Sequence, residues 1–161
     1  MLLDAQGDLA ALKITSPGLV AEFLNELGLL RFKQGRYQES VKVNSESLDL
    51  FQDAMGAEHP ALIVPINNLA LSYLKLGRLS LAELTLKRAM SICRRTLGED
   101  HATCGALLDS YAVVLRTLHR KPEAKAVVAR SRQIRDASQR RNGVGSTISV
   151  TALRIRSNSV P

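Results

Sequence analysis

The residues best equipped for chemistry are two histidines, each preceded by a glycine and an acid: Gly56, Glu58 and His59, then Gly98, Asp100 and His101. With Cys93 and Cys104 on either side of the second group, they carry donor types of a zinc site, and an imidazole beside a carboxylate is also a pairing for proton transfer. Either chemistry needs side chains that converge on one point. The two groups, however, are copies displaced by 42 positions, and equivalent residues of stacked repeats lie about a helix pair apart. The histidines therefore read as punctuation at helix starts. The sequence has no glycine-rich phosphate loop, serine elbow or paired-cysteine motif, and Glu99-Asp100 reads as a solvated turn, because a general acid needs a pocket that shifts its pKa. No catalytic residue, metal or cofactor is expected, and the protein is not expected to be an enzyme.

The displacement extends well beyond the histidines. Lys33-Gln34-Gly35-Arg36 falls on Lys75-Leu76-Gly77-Arg78; Asn25 falls on Asn67 and then on Asp109. Small residues recur at Ser40, Ala82 and Ala124, and again at Ser47, Ala89 and Ser131. Apolar residues at helical spacing predict six helices, over 18–34, 37–55, 60–76, 79–97, 102–118 and 121–137. Gly35 and Gly77 stop the first helix of their pairs, Gly56 and Gly98 the second, and Ser16, Glu58 and Asp100 sit where the next helix begins. Pro65, inside the third helix, predicts a kink or a late helix start. The expected organisation is an N-terminal stub at 1–15, the remnant of a preceding helix; three repeats at 16–57, 58–99 and 100–137; and a flexible basic tail at 138–161.

A helix-turn-helix unit that recurs at a fixed period is the signature of a solenoid, in which each pair hides its apolar face only by stacking on its neighbours. The second unit reads Asn67-Asn68-Leu69-Ala70, Tyr73, Leu76-Gly77-Arg78, Ala82-Glu83, Ala89-Met90 and Leu97-Gly98-Glu99-Asp100-His101. In this it resembles the tetratricopeptide repeats of the kinesin light chain type. The recurring small residues in both helices favour that family over HEAT-like helical pairs. The resemblance implies an all-α fold, a right-handed α-solenoid of three antiparallel helix pairs, and a non-catalytic adaptor that holds a peptide or helix of a protein partner in its concave groove. It also places the polar stripe Asn25, Asn67, Asn68 and Asp109 in that groove, with Lys33 and Lys75 on its rim. The carboxylate clamp of chaperone-binding relatives is matched only by Asn68; Asn25, Leu29, Ala106 and Ser110 stand at its other positions.

A chain of 161 residues suffices for one domain, and aromatics at 4% suit helices packed through small side chains. Two cysteines and no secretory signal or membrane-spanning apolar run predict a soluble, cytoplasmic protein with its thiols free and buried. The charge is uneven. Residues 1–114 sum to −2, whereas residues 115–141 sum to +7, and Lys125, Arg130, Arg132 and Arg135 form a candidate basic surface. A polar terminal repeat is the usual solubilising cap of a solenoid. The second functional reading is electrostatic binding of nucleic acid or another anionic surface there, through phosphate attraction alone, since no aromatic interleaves with the bases. A third is the terminal part of a larger signalling array, whose exposed repeat ends leave room for self-association.

Overall fold

The computed structural model describes the backbone of residues 16–155 and the side chains of residues 16–140. The expected stub at 1–15 and residues 156–161 of the tail lie outside the described residues. Helices α1 (Pro17–Lys33), α2 (Tyr37–Met55), α3 (Ile63–Lys75), α4 (Leu79–Leu97), α5 (Ala102–Thr117) and α6 (Lys121–Ile155) form three antiparallel pairs, and no strand occurs among the described residues. The second helix of each of the first two pairs also packs on the first helix of the next: α2 on α3, α4 on α5. This is an all-α repeat solenoid.

Pairs close through small residues. Ser47 Oγ donates to the Ala21 carbonyl at 2.7 Å, and 84 positions later Ser131 Oγ donates to the Gly105 carbonyl at 3.1 Å, so the recurring small residue brings two backbones together and satisfies a buried carbonyl. Ser40 Oγ does the same for Gly28 at 2.8 Å. A Cβ on Gly28 would lie 2.5–2.7 Å from the fully buried Asn44 amide, whose Oδ1 has no partner. The later pairs place Ala70 and Ala112 opposite Leu86 and Val128 at these positions. Gly28→Ala should therefore cost about 1–3 kcal/mol in overpacking, more than the ~1 kcal/mol gained in helix propensity. Urea denaturation of a Gly28→Ala, Asn44→Ala cycle should show that the second change relieves most of the first, and simple additivity would discount the clash.

The first helices end in one motif repeated three times. Arg36, Arg78 and Arg120 each donate a backbone N–H five residues back, to Arg31, Tyr73 and Leu115, at 2.9 Å. The residue before each is left-handed: Gly35 at φ 76°, Gly77 at φ 73°, and His119 at φ 60°. The third copy thus makes the same turn without glycine.

Pro65 is accommodated by the late start. Pro60–Leu62 forms a 3-10 turn and the α-helix begins at Ile63, so Pro65 falls in the first turn, where a missing N–H leaves no bond unmade. The helix starts need one correction. His59 and His101 are themselves the caps: each Nδ1 accepts the N–H two residues on, from Ala61 and Thr103, at 3.2 Å. Glu58 instead pairs with Arg95 and Asp100 with Arg130, and Ser16 makes no side-chain cap bond.

Two further expectations change. Cys93 and Cys104 are joined in a disulfide rather than free. One repeat earlier their positions hold Phe51 and Leu62, both buried in the core, so the thiols stand on two surfaces that already face each other. The last helix also does not stop at 137: α6 runs to Ile155, through residues 138–155 of the expected tail. That stretch has no proline, and its glycines at 143 and 145 lower helix propensity without removing a backbone donor.

Candidate functional site

Each first helix is covered by its own second helix and by a neighbouring pair, and one stripe stays open on all three, while α1 also exposes Leu19, Phe23 and Leu30 on another side. The stripe comprises Glu22, Glu26, Leu29 and Lys33 on α1; Val64, Asn68, Leu71 and Lys75 on α3; and Ala106, Ser110, Val113 and Thr117 on α5, all exposed or half-buried. These positions follow one another at i, i+4, i+7 and i+11, which is one face of a helix. The face is graded: carboxylates at the start of α1, an apolar row of Leu29, Leu71 and Val113 across the middle, and Lys33 and Lys75 at the far ends. Val64 is 52% exposed and Val113 44%. The shift of 42 that aligned the asparagines also aligns this apolar row, but a helix apolar nearly all round hides which of its sides is open.

The expected polar stripe divides under this geometry. Lys33 and Lys75 are exposed at the last positions of the open face, and Asn68 and Asn67 are half-buried on α3. Asn25 is buried, and its Oδ1 accepts from Asn68 Nδ2 at 3.0 Å, so these two amides tie the first pair to the second. One repeat on, the same relation would join Asn67 to Ser110. The serine is too short: it bonds its own helix at the Ala106 carbonyl, 3.4 Å away, and Asn67 Oδ1 is left buried without a partner. Asp109, third in the series, is taken by Arg135 at 2.7 Å.

The basic surface divides in the same way. Arg130 and Arg135 turn back onto Asp100 and Asp109 of their own repeat, both at 2.7 Å, while Lys125 and Arg132 stay exposed with no ion pair among the described residues. A separate cluster, not foreseen from the sequence, ties the second pair to the third. Glu83 on α4 receives Lys87 and Arg120, each at 2.8 Å, and the Tyr111 hydroxyl at 3.0 Å. Hydrogen bonds from Lys87 and then Arg120 hold the Glu83 carboxyl down at about 2. Lys87 is pushed up mainly by its bond to Glu83, and Tyr111 mainly by burial. Arg120 is pushed up by Glu123 first and Glu83 second, and it holds Glu123 below the usual carboxylate range. The signal for this cluster in the sequence is the acid at 83, which has no counterpart at Val41 or Lys125.

Among the described residues no three His, Cys, Asp or Glu side chains gather as metal ligands, and no helix is long and apolar enough to cross a membrane. The arrangement offers recognition: an open face with apolar, amide, anionic and cationic positions at fixed spacing.

No curated protein sequence matches the chain. Among solved structures, it is similar to nearly identical TPR-like repeats of kinesin light chain description from Podosopora anserina. One of these, a form with a single substitution, has a TM-score of 0.67 at 22% identity over 80% of this chain and 61% of that one; another has a TM-score of 0.63 at 22% identity over 74% and 57%. It is also similar to BtubC (BKLC) from P. vanneervenii, with a TM-score of 0.56 at 16% identity over 79% of this chain and 67% of that one. The chain thus spans about three fifths of the Podosopora anserina chains. The family model for the tetratricopeptide repeat matches residues 19–94 and 66–137. With the three-fold helix pairs, their repeated turn motif and their small-residue contacts, this establishes that the chain belongs to the tetratricopeptide repeat family.

Proposed function

We propose that the protein is a non-catalytic adaptor that holds an extended peptide or a short helix of a protein partner along the open face of α1, α3 and α5. Tetratricopeptide repeats serve as protein-interaction scaffolds, and the observation that supports this face is its apolar row. In that row Val113 is 44% exposed and Leu29 and Leu71 are half-buried, and Val64 on the same face is 52% exposed. Apolar groups that burial would stabilise by roughly 1.5–3 kcal/mol each are kept in water there. The rim lysines and Asn68, whose amide oxygen is not used in the bond to Asn25, would orient the ligand, since that oxygen can accept from a main chain.

Because Asn68 also ties two repeats together, replacing it would confuse binding with stability; the apolar row makes the cleaner test. Peptides selected from a random library on the full chain should bind the wild type and lose at least ~10-fold in affinity on Leu71→Lys with Val113→Lys, with helical content unchanged. Selected peptides that bind the double variant as well as the wild type would place recognition elsewhere. Phosphate attraction through the basic helix is the weaker reading, because Arg130 and Arg135 are already paired with acids of their own repeat.

A further inference from the structure

The outer face of α6 differs in charge from the junctions between the three pairs. At the junction of the second and third pairs, α4 presents Glu83, Leu86 and Met90 toward α5, and Glu83 receives Arg120 and Tyr111 from the third pair. At the junction before it, the same positions of α2 are Val41, Asn44 and Leu48, all buried. On α6 these positions become Lys125, Val128 and Arg132; both cations are exposed and Val128 is half-buried.

Together with Arg116, Lys121 and Ala129 they line a shallow depression of about 600 Å³. None of its four cations has an ion pair or side-chain hydrogen bond among the described residues, unlike Arg130 and Arg135 on the same helix. Of the nearby acids on α6, Glu123 is held by Arg120, and Asp136 lies a turn beyond Arg132.

We propose that this depression is a second docking surface, distinct from the open face of the first helices, and that it takes an acidic amphipathic helix of a partner protein. The shape argues for a helix, because at both interior junctions a helix lies on the equivalent residues. The charge argues for acid. Where the interior junction sets an acid on the second helix against an arginine of the incoming pair, the outer face of α6 sets Lys125, so the occupant has to supply the carboxylate. A second copy of this chain is the poorer occupant, because its first pair would bring Arg36, the equivalent of Arg120, against Lys125. Nucleic acid is poorer too: the floor of Val128 and Ala129 is apolar, and no aromatic side chain lies there for a base to stack on.

The test uses the full chain and a labelled synthetic helix with leucines on one face and glutamates flanking them, read by fluorescence anisotropy. The glutamate peptide should bind, and the same peptide with glutamine in place of glutamate should bind at least ~10-fold more weakly. Lys125→Glu with Arg132→Glu should lower the affinity at least ~10-fold, and Lys125→Gln with Arg132→Gln by less. Lys33→Glu with Lys75→Glu, an equal change of net charge on the other face, should alter it less than ~2-fold. The proposal is overturned if the glutamate peptide does not bind, if the glutamine peptide binds equally, or if the Lys33, Lys75 variant loses as much. A single-stranded oligonucleotide of equal charge that binds more tightly than the peptide would overturn it in favour of nucleic acid. Self-association of the chain that vanishes on Lys125 and Arg132 reversal would overturn it in favour of a second copy.

Discussion

Replacing Cys93 and Cys104 together by alanine is expected to lower the unfolding free energy by about 3 kcal/mol. The bond joins the last turn of α4 to the first turn of α5 with a sequence separation of 11, so it restricts a loop of the unfolded chain that spans the hinge between the second and third pairs. Two small cavities add to this, since both sulfurs are buried. The position magnifies the effect: a solenoid is stabilised by nearest-neighbour interfaces, and loosening one junction releases the third pair as a unit. Urea denaturation should shift for the wild type when a dithiol reductant is added and should be indifferent to it for the double alanine variant. A wild type that does not respond to reductant would show that the bond contributes nothing to holding the pairs together. Helical content before denaturation should be the same in all three samples, because every helix keeps its own backbone bonds.

The helix boundaries are legible in the sequence because two independent signals coincide on them: apolar spacing at helical period and glycines that return every 42 residues. α2 and α4 occupy 37–55 and 79–97 as that spacing predicts. Other features escape because they arise from pairs of residues far apart in the chain. Nothing local distinguishes Asn25, which is buried against Asn68, from Asn67, whose carbonyl oxygen lacks a partner; the difference lies in whether position 68 or 110 carries a side chain long enough to reach. The cysteines read as ordinary small core residues, although their counterparts Phe51 and Leu62 already place them on facing helices. The caps lie one residue later than the sequence suggests, because Glu58 and Asp100 are familiar acids at a helix start and a histidine that accepts through Nδ1 is not. Continuation of α6 past 137 follows from the lack of a strong stop, whereas the period alone supplies an end where none is built.

The second large effect is expected at Glu83, where one carboxylate receives three donors from three different segments. Lys87 comes from its own helix, Tyr111 from α5 and Arg120 from the turn before α6, so the acid both orders α4 and fastens the third pair to the second. Glu83→Gln keeps the shape and removes the charge. It should cost on the order of 1–3 kcal/mol, toward the lower end because the Lys87 and Arg120 side chains, 54% and 36% exposed, are partly screened by water. The dependence on pH has a defined direction. The folded carboxyl sits at about 2, below its ordinary value of 4.5, so its contribution is complete above 4.5 and is lost as pH falls toward 2. Wild type and Glu83→Gln should therefore differ fully at neutral pH and converge between these two values in urea denaturation. Glu123, which Arg120 also holds low, is raised by the Glu83 charge, so both proteins are best compared in a Glu123→Gln background, which removes its titration from the difference. A gap that stays constant down to about pH 2 would mean that Glu83 acts through packing rather than charge. Tyr111→Phe should remove a smaller share of the same stability, and its gap from the wild type should also narrow as pH falls toward 2, since the Tyr111 hydroxyl is the least of the donors that hold the carboxyl low and Lys87 and Arg120 stay in place.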